Sequence, residues 1–95
     1  MSIVDKILRR KKPDANERRR RLLATGRITD GVILDSEINA AGDEIVFFMY
    51  TLNGVDFESS EILTSEQRQN PVKYAPGARV GIRYDPRNQG NSIVE

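Results

Sequence analysis

The 95-residue sequence contains no cysteine and no histidine. Without cysteine the chain has neither a disulfide framework nor thiolate chemistry, a composition typical of a reducing cytoplasm. Without histidine it lacks the usual general base, the usual metal ligand and the usual activator of a serine or cysteine nucleophile. We therefore expect no catalytic residues, no metal site and no cofactor.

Long apolar segments are also missing. No apolar run approaches the roughly 20 residues that a membrane-spanning helix needs. The N-terminus is charged from Asp5 onward and has no continuous hydrophobic stretch of the kind found in a secretory signal. The expected location is the cytoplasm, with a peripheral position at the inner face of the membrane as the alternative.

Carboxylates are the groups left for chemistry. Asp35 with Glu37, and Asp56 with Glu58, lie two positions apart on predicted strands, so each pair shares one face. Such pairs can serve acid–base catalysis or bind Ca²⁺ or Mg²⁺. The alternation of a half-buried sheet already explains both pairs, however. With no phosphate-binding glycine loop either, the sequence indicates a non-enzymatic protein with no small-molecule substrate.

Charge is divided unevenly along the chain. Residues 1–27 hold ten of the 15 Lys and Arg but only three of the 14 Asp and Glu, a net charge of +7. The remaining residues carry a net charge of −6. This division predicts a basic helical arm over residues 1–26 and an acidic β-domain over residues 27–95, joined in one dipolar molecule.

The arm divides into two predicted helices. The first covers residues 2–12, with apolar side chains at helical spacing at Ile3, Val4, Ile7 and Leu8. Pro13 interrupts it, and Asp14 offers the N-cap of a second helix that stops at Thr25-Gly26.

The pattern changes after Gly26 to that of β-strands. Alternating segments are separated by turn residues, of which Asn53-Gly54 is the strongest hairpin signal. We expect a mainly β fold, a five-stranded antiparallel meander or small barrel with one or two N-terminal helices. The predicted inward side chains are Val32, Leu34, Val46, Phe48, Tyr50, Leu52, Val55, Phe57, Val80, Ile82, Tyr84 and Ile93.

The second strand is apolar on both faces. Phe47 and Met49 lie opposite the predicted inward set, and Ile33 of the first strand adds to them. A strand with one face in water should not have this pattern, so something should cover the outer face. The sequence predicts a binding surface at Ile33, Phe47 and Met49 for a protein partner, for a second copy in a homo-oligomer, or for the arm.

The cluster Arg18, Arg19, Arg20 and Arg21 is the candidate anion-binding site. Four consecutive helical residues span about 300° around the axis, so some of them should face the body or a partner and others water. They could bind an anionic membrane surface. Nucleic acid is disfavoured, because no aromatic side chain for base stacking lies among the bases of the arm. The leading hypothesis is a binding or scaffolding module, and the alternative is a peripheral anion-binding protein.

A family resemblance is carried by residues 24–35, by Val46 to Phe57 and above all by the segment from Gly77 to Asn88. Through these segments the chain resembles the bacterial domain-of-unknown-function family 3592, and the likeness extends over about residues 22–95. The resemblance implies a small β-domain without assigned activity, often placed beside transmembrane helices. The chain departs from the family in having a charged arm instead of such a helix, and Gln89-Gly90 where proline is expected.

Overall fold

The structure, a computed structural model, describes residues 15–95; the helix predicted over residues 2–12 and the N-cap at Asp14 lie outside them. Helix α1 (Ala15–Thr25) leads into the long strand β1 (Arg27–Ile38). The strands β2 (Glu44–Leu52) and β3 (Val55–Ile62) follow, then the short helix α2 (Ser65–Arg68). Strands β4 (Arg79–Asp85) and β5 (Asn88–Val94) complete the chain.

The strands form one antiparallel sheet in the order β3-β2-β1-β4-β5, rolled into a nearly closed barrel. The predicted mainly β class with five strands is confirmed. The β2–β3 turn has positive φ at Asn53 and Gly54, 51° and 81°, as a type I′ turn requires. In the β4–β5 turn the Asp85 carboxylate accepts a hydrogen bond from the Arg87 N–H at 2.8 Å.

The barrel interior is filled by alternate residues of the strands. From β2 these are the even-numbered positions Val46 to Leu52, all of them buried. The ring of Tyr50 stacks between Phe48 and Phe57, at centroid distances of 6.1 and 5.4 Å. Aromatic pairs at such distances add packing energy beyond the area they bury, so β2 is the centre of the core.

Four members of the predicted inward set do not point into the barrel. Val55 is 54% exposed at the β2–β3 turn, and Ile93 lies on the opposite face of β5 from the core residue Val94. Val32 and Leu34 were misplaced because the first half of β1 was predicted in the wrong phase. Ile33 is 1% exposed in the core, whereas Leu34 is 42% exposed. The cause is a β-bulge: Ile33 is opposite Phe48 and Asp35 is opposite Phe47, which leaves Leu34 as an extra residue. A bulge reverses the alternation on one side of itself. The predicted outer position of Ile33 is therefore wrong, whereas that of Asp35 and Glu37 is correct.

Helix α1 packs on β4 and β5. Its Leu22 is buried, and so is Ile93 of β5, which lies on the opposite face of that strand from the core residue Val94. The helix ends where the Gly26 N–H donates to the Leu22 carbonyl at 2.7 Å; a β-carbon at Gly26 would come within 2.4 Å of that same oxygen. Residues 15–25 are therefore docked on the β-domain.

Gly31 tests how closely the core is packed. A β-carbon at this position would lie 2.6 Å from Cγ1 of Ile82 and 2.7 Å from the Met49 carbonyl oxygen. We expect Gly31→Ala to lower the free energy of unfolding by about 1–3 kcal/mol, the usual cost of overpacking. At Gly90 the nearest atom would be at 4.0 Å. Gly90→Ala is therefore the control, and equal denaturation midpoints for the two variants would contradict the prediction.

Candidate functional site

The outer face of β1, β2 and β3 carries a continuous apolar surface. The pairing register places Met49 opposite Val32, and Ile45 opposite Ile62, so these side chains share one face. Phe47 lies beside the bulged Leu34, with which it lines a shallow depression of about 340 Å³. We call this surface the outer apolar stripe; its members are Val32, Leu34, Ile45, Phe47, Met49 and Ile62.

The stripe is open to solvent among the described residues. Ile62 is 50% exposed, and Phe47 and Met49 are half-buried by their neighbours in the sheet. Helix α1 was a candidate cover for Phe47 and Met49, but it packs on β4 and β5 instead. Complete burial of a fully exposed large apolar side chain is worth roughly 1.5–3 kcal/mol, and the half-buried Phe47 and Met49 forgo only part of that energy. A contiguous apolar surface of this kind is the usual mark of an interaction site.

Carboxylates flank the stripe on both sides. The outward positions of β1 and β3 carry five exposed acids, and none of the outward positions of β1 to β3 carries a base. Arg79 of β4, opposite Val32, is the nearest base in the register. We call these acids the acidic rim: Asp30, Asp35, Glu37, Asp56 and Glu58. A partner that covers the stripe without meeting like charges should therefore be apolar and basic.

Two of the three predicted binding residues, Phe47 and Met49, lie on this surface, whereas Ile33 lies beneath it in the core. The sequence prediction missed Val32, Leu34 and Ile62 as members of the stripe, since Val32 and Leu34 were predicted to point inward. Leu34 could not be found by alternation, because the bulge moves it. Ile62 could have been found, since it lies eight positions after Gly54 with the same parity as Asp56 and Glu58.

A second feature is the seam where β5 meets β3. Here side chains form hydrogen bonds with backbone groups along the free edge of β5. The Val94 N–H donates to the Glu61 carboxylate, and the Val94 carbonyl accepts from Arg19 at 2.8 Å and from Gln67 at 3.0 Å. Arg18 donates to the Ser92 carbonyl at 3.2 Å, and the Tyr50 hydroxyl donates to the Gln89 carbonyl at 2.5 Å. These side chains thus bond the Val94 N–H and the carbonyls of Val94, Ser92 and Gln89 without a backbone ladder.

Glu61 is a buried carboxyl group of the seam, with a side chain only 6% exposed. Burial raises the pKa of Glu61 to about 7; the hydrogen bond from Val94 and the charges of Arg19 and Arg18 lower the pKa but do not offset the burial. Arg19 lies 3.8 Å from the carboxylate. Sequence reasoning missed Glu61, although its place in the inward alternation of β3, after Phe57 and Ser59, is a signal for a buried carboxylate.

The four arginines of α1 do not form one surface. Arg18 and Arg19 are bonded to β5, Arg21 pairs with Glu17 at 3.1 Å, and Arg20 is exposed. This division agrees with the expectation that consecutive helical residues face both body and water. Because two guanidinium groups are already engaged, the part of the cluster open to an anion is centred on Arg20.

Within residues 15–95, no group of three or more acidic side chains is arranged to hold a metal ion. No helix in this range is long and apolar enough to cross a bilayer.

Comparison with known families identifies the β-domain. The sequence profile of the family described as "Domain of unknown function (DUF3592)" matches residues 24–95, which include all five strands. The chain belongs to this family. The match includes the outer apolar stripe and Glu61 of the DUF3592 domain, and Arg18 to Arg21 precede it. No curated protein and no solved structure matches the chain.

The bonds of Arg19 to the seam can be tested by substitution. We expect Arg19→Gln to lower the free energy of unfolding by about 1–3 kcal/mol, because it removes the charged donor of the buried Val94 carbonyl and the positive charge 3.8 Å from Glu61. Arg20→Gln is the matched control, since Arg20 is exposed on the same helix turn, and should change stability by less than about 0.5 kcal/mol. Urea denaturation of both variants measures the difference, and similar losses would contradict the assignment.

The buried carboxyl group should make stability depend on pH. The pKa of Glu61 is about 7 in the folded chain against an ordinary 4.5, so between these values unfolding releases a proton. The contribution of Glu61 is fully present below pH 4.5, declines as the pH rises toward 7, and is lost above it. The total is on the order of 3 kcal/mol.

Glu61→Gln keeps an acceptor for Val94 but cannot titrate. The free energy of unfolding of the parent should therefore fall relative to this variant between pH 5 and pH 8, as measured by chemical denaturation. Parallel pH profiles for the two proteins would show that Glu61 does not hold its proton in the fold.

Proposed function

We propose that this chain is a non-enzymatic protein-binding module of a bacterial cytoplasm, which engages its partner through the outer apolar stripe. One observation carries the proposal: β2 is apolar on both faces, and its outer face is not covered by any element of residues 15–95. A sheet that needed only to fold would place polar side chains there.

The acidic rim supports a partner of particular chemistry. Two copies of this surface facing each other would bring their carboxylates together, which opposes self-association through the stripe. A helix with one apolar face and flanking Lys or Arg would bury Phe47, Met49 and Ile62 and place its bases among the acids. Helices bind hydrophobic grooves in this way through side chains at i, i+3, i+4 and i+7 spacing.

The proposal can be tested with designed peptides. The probe is a fluorescent amphipathic Leu/Lys helix, compared with a scrambled peptide of the same composition and with a Leu/Glu helix, by anisotropy titration. We expect the Leu/Lys helix to bind the parent protein in preference to both. Phe47→Ser should weaken this binding at least about tenfold, as expected for an interface anchor. Val72→Ser removes an apolar side chain that is 85% exposed outside the stripe, and should have no effect.

A rim variant keeps the test decisive if Phe47→Ser is unstable. Glu58 of the acidic rim lies opposite Met49. The variant Glu58→Lys should weaken binding of the Leu/Lys helix and strengthen binding of the Leu/Glu helix. Equal binding of all three peptides by the parent would reject the stripe as a site. The peripheral anion-binding alternative predicts a different result in sedimentation with anionic vesicles. It would be favoured if the Phe47→Ser protein sediments with the vesicles as the parent does and the Arg20→Gln protein does not.

A further inference from the structure

The start of α1 lies at one end of the outer apolar stripe. A cavity of about 290 Å³ separates the first turns of the helix from the edge of the sheet. Asn16 and Arg19 line it on one side, and Ile45 and Ile62 line it on the other. Ile45 and Ile62 are also the terminal members of the stripe, so the first described turn of α1 lies beside it.

The length of the preceding segment matches the stripe. Residues 2–12, if helical as their sequence predicts, would be about 16 Å long at 1.5 Å per residue. From Ile45 to Met49 the strand advances four residues, or about 14 Å at 3.4 Å per residue. A helix that ran back from Pro13 over Ile45 would reach Met49 with its first turn.

The chemistry of the segment matches as well. Ile3, Val4, Ile7 and Leu8 recur at the spacing of one helical face, and the segment carries five bases, Lys6, Arg9, Arg10, Lys11 and Lys12, against one acid. This is the apolar and basic character that the acidic rim favours in an occupant. A tethered segment also binds at a high effective concentration, which strengthens an otherwise weak contact.

We infer that residues 2–12 occupy the outer apolar stripe of their own chain and compete with the external partner for it. The inference rests on the proposed function, because it makes the same surface the site of both contacts. The arm then sets how much of the surface is available, since apparent affinity for an external ligand falls with the fraction of molecules in which the site is free.

Because the chain has no cysteine, Ser2→Cys gives a single site for a paramagnetic label. In the labelled full-length protein we expect the amide signals of Met49 and Glu58 to be attenuated, and that of Ile93 across the barrel to be unaffected. Adding Ile7→Ser and Leu8→Ser, which remove apolar area without changing charge, should restore the signals. Equal attenuation with and without these changes would overturn the inference. Attenuation that grows with protein concentration would also overturn it, in favour of exchange of the arm between two copies.

A second measurement separates the two proposals. The Leu/Lys helix should bind the Ile7→Ser, Leu8→Ser protein more tightly than the parent, by about tenfold if the arm occupies the stripe nine-tenths of the time. Equal affinities for the two proteins would reject the arm as occupant and leave the binding site standing. If the peptide binds neither protein while the label in the full-length parent still reports contact at Met49, the stripe accepts only the arm and the proposed function fails.

Discussion

The closure of this barrel depends on the hydrogen bonds made to Val94. A sheet of five strands has two edges, and each edge presents unpaired backbone groups that would otherwise need water or another strand. At Val94 the N–H is bonded by Glu61 of β3, and the carbonyl by Arg19 of α1 and by Gln67 of α2. Three separate elements thus meet at one residue. The position of α1 on the sheet, the burial of Glu61 and the engagement of two arginines all follow from satisfying that edge.

The charged side chains of this protein fall into two groups, those that bond at the seam and those that lie away from it. Bases close to the body have a structural role, because Arg18 and Arg19 donate hydrogen bonds to carbonyls at the edge of β5 and lie near Glu61, whose pKa is raised by burial. The bases earlier in the arm lie outside the described residues, and five acids of the body, the acidic rim, lie around the outer apolar stripe. The charge asymmetry of the sequence therefore contains a structural part at α1 and a part that is available for recognition at the stripe.

Local periodicity and turn chemistry were enough to predict several features from the sequence. These are the five strands, the Asn53-Gly54 hairpin, the helix after Asp14 and the double apolar character of β2. The sequence did not allow the phase of β1 to be predicted, since a bulge is a property of how two strands pair. Ile33 and Leu34 were exchanged for that reason. Glu61 and Gln67 were missed as seam residues because their partner, Val94, is remote along the chain. Phe47 and Met49 were placed correctly, since β2 has no irregularity.

The bulge at Leu34 has a consequence for the shape of the whole barrel. An extra residue bends a strand and increases its twist. It lies in β1, which pairs with β4 through its first half and with β2 through its second. A bend there brings the two halves of the sheet toward each other, so the outer edges β3 and β5 come within reach of a single side chain. The residue that the bulge turns outward is itself part of the apolar stripe. The curvature of the sheet and the apolar stripe on its outer face therefore both depend on the bulge. A chain shortened by that one residue would have a flatter sheet, a wider seam and a smaller exposed apolar area.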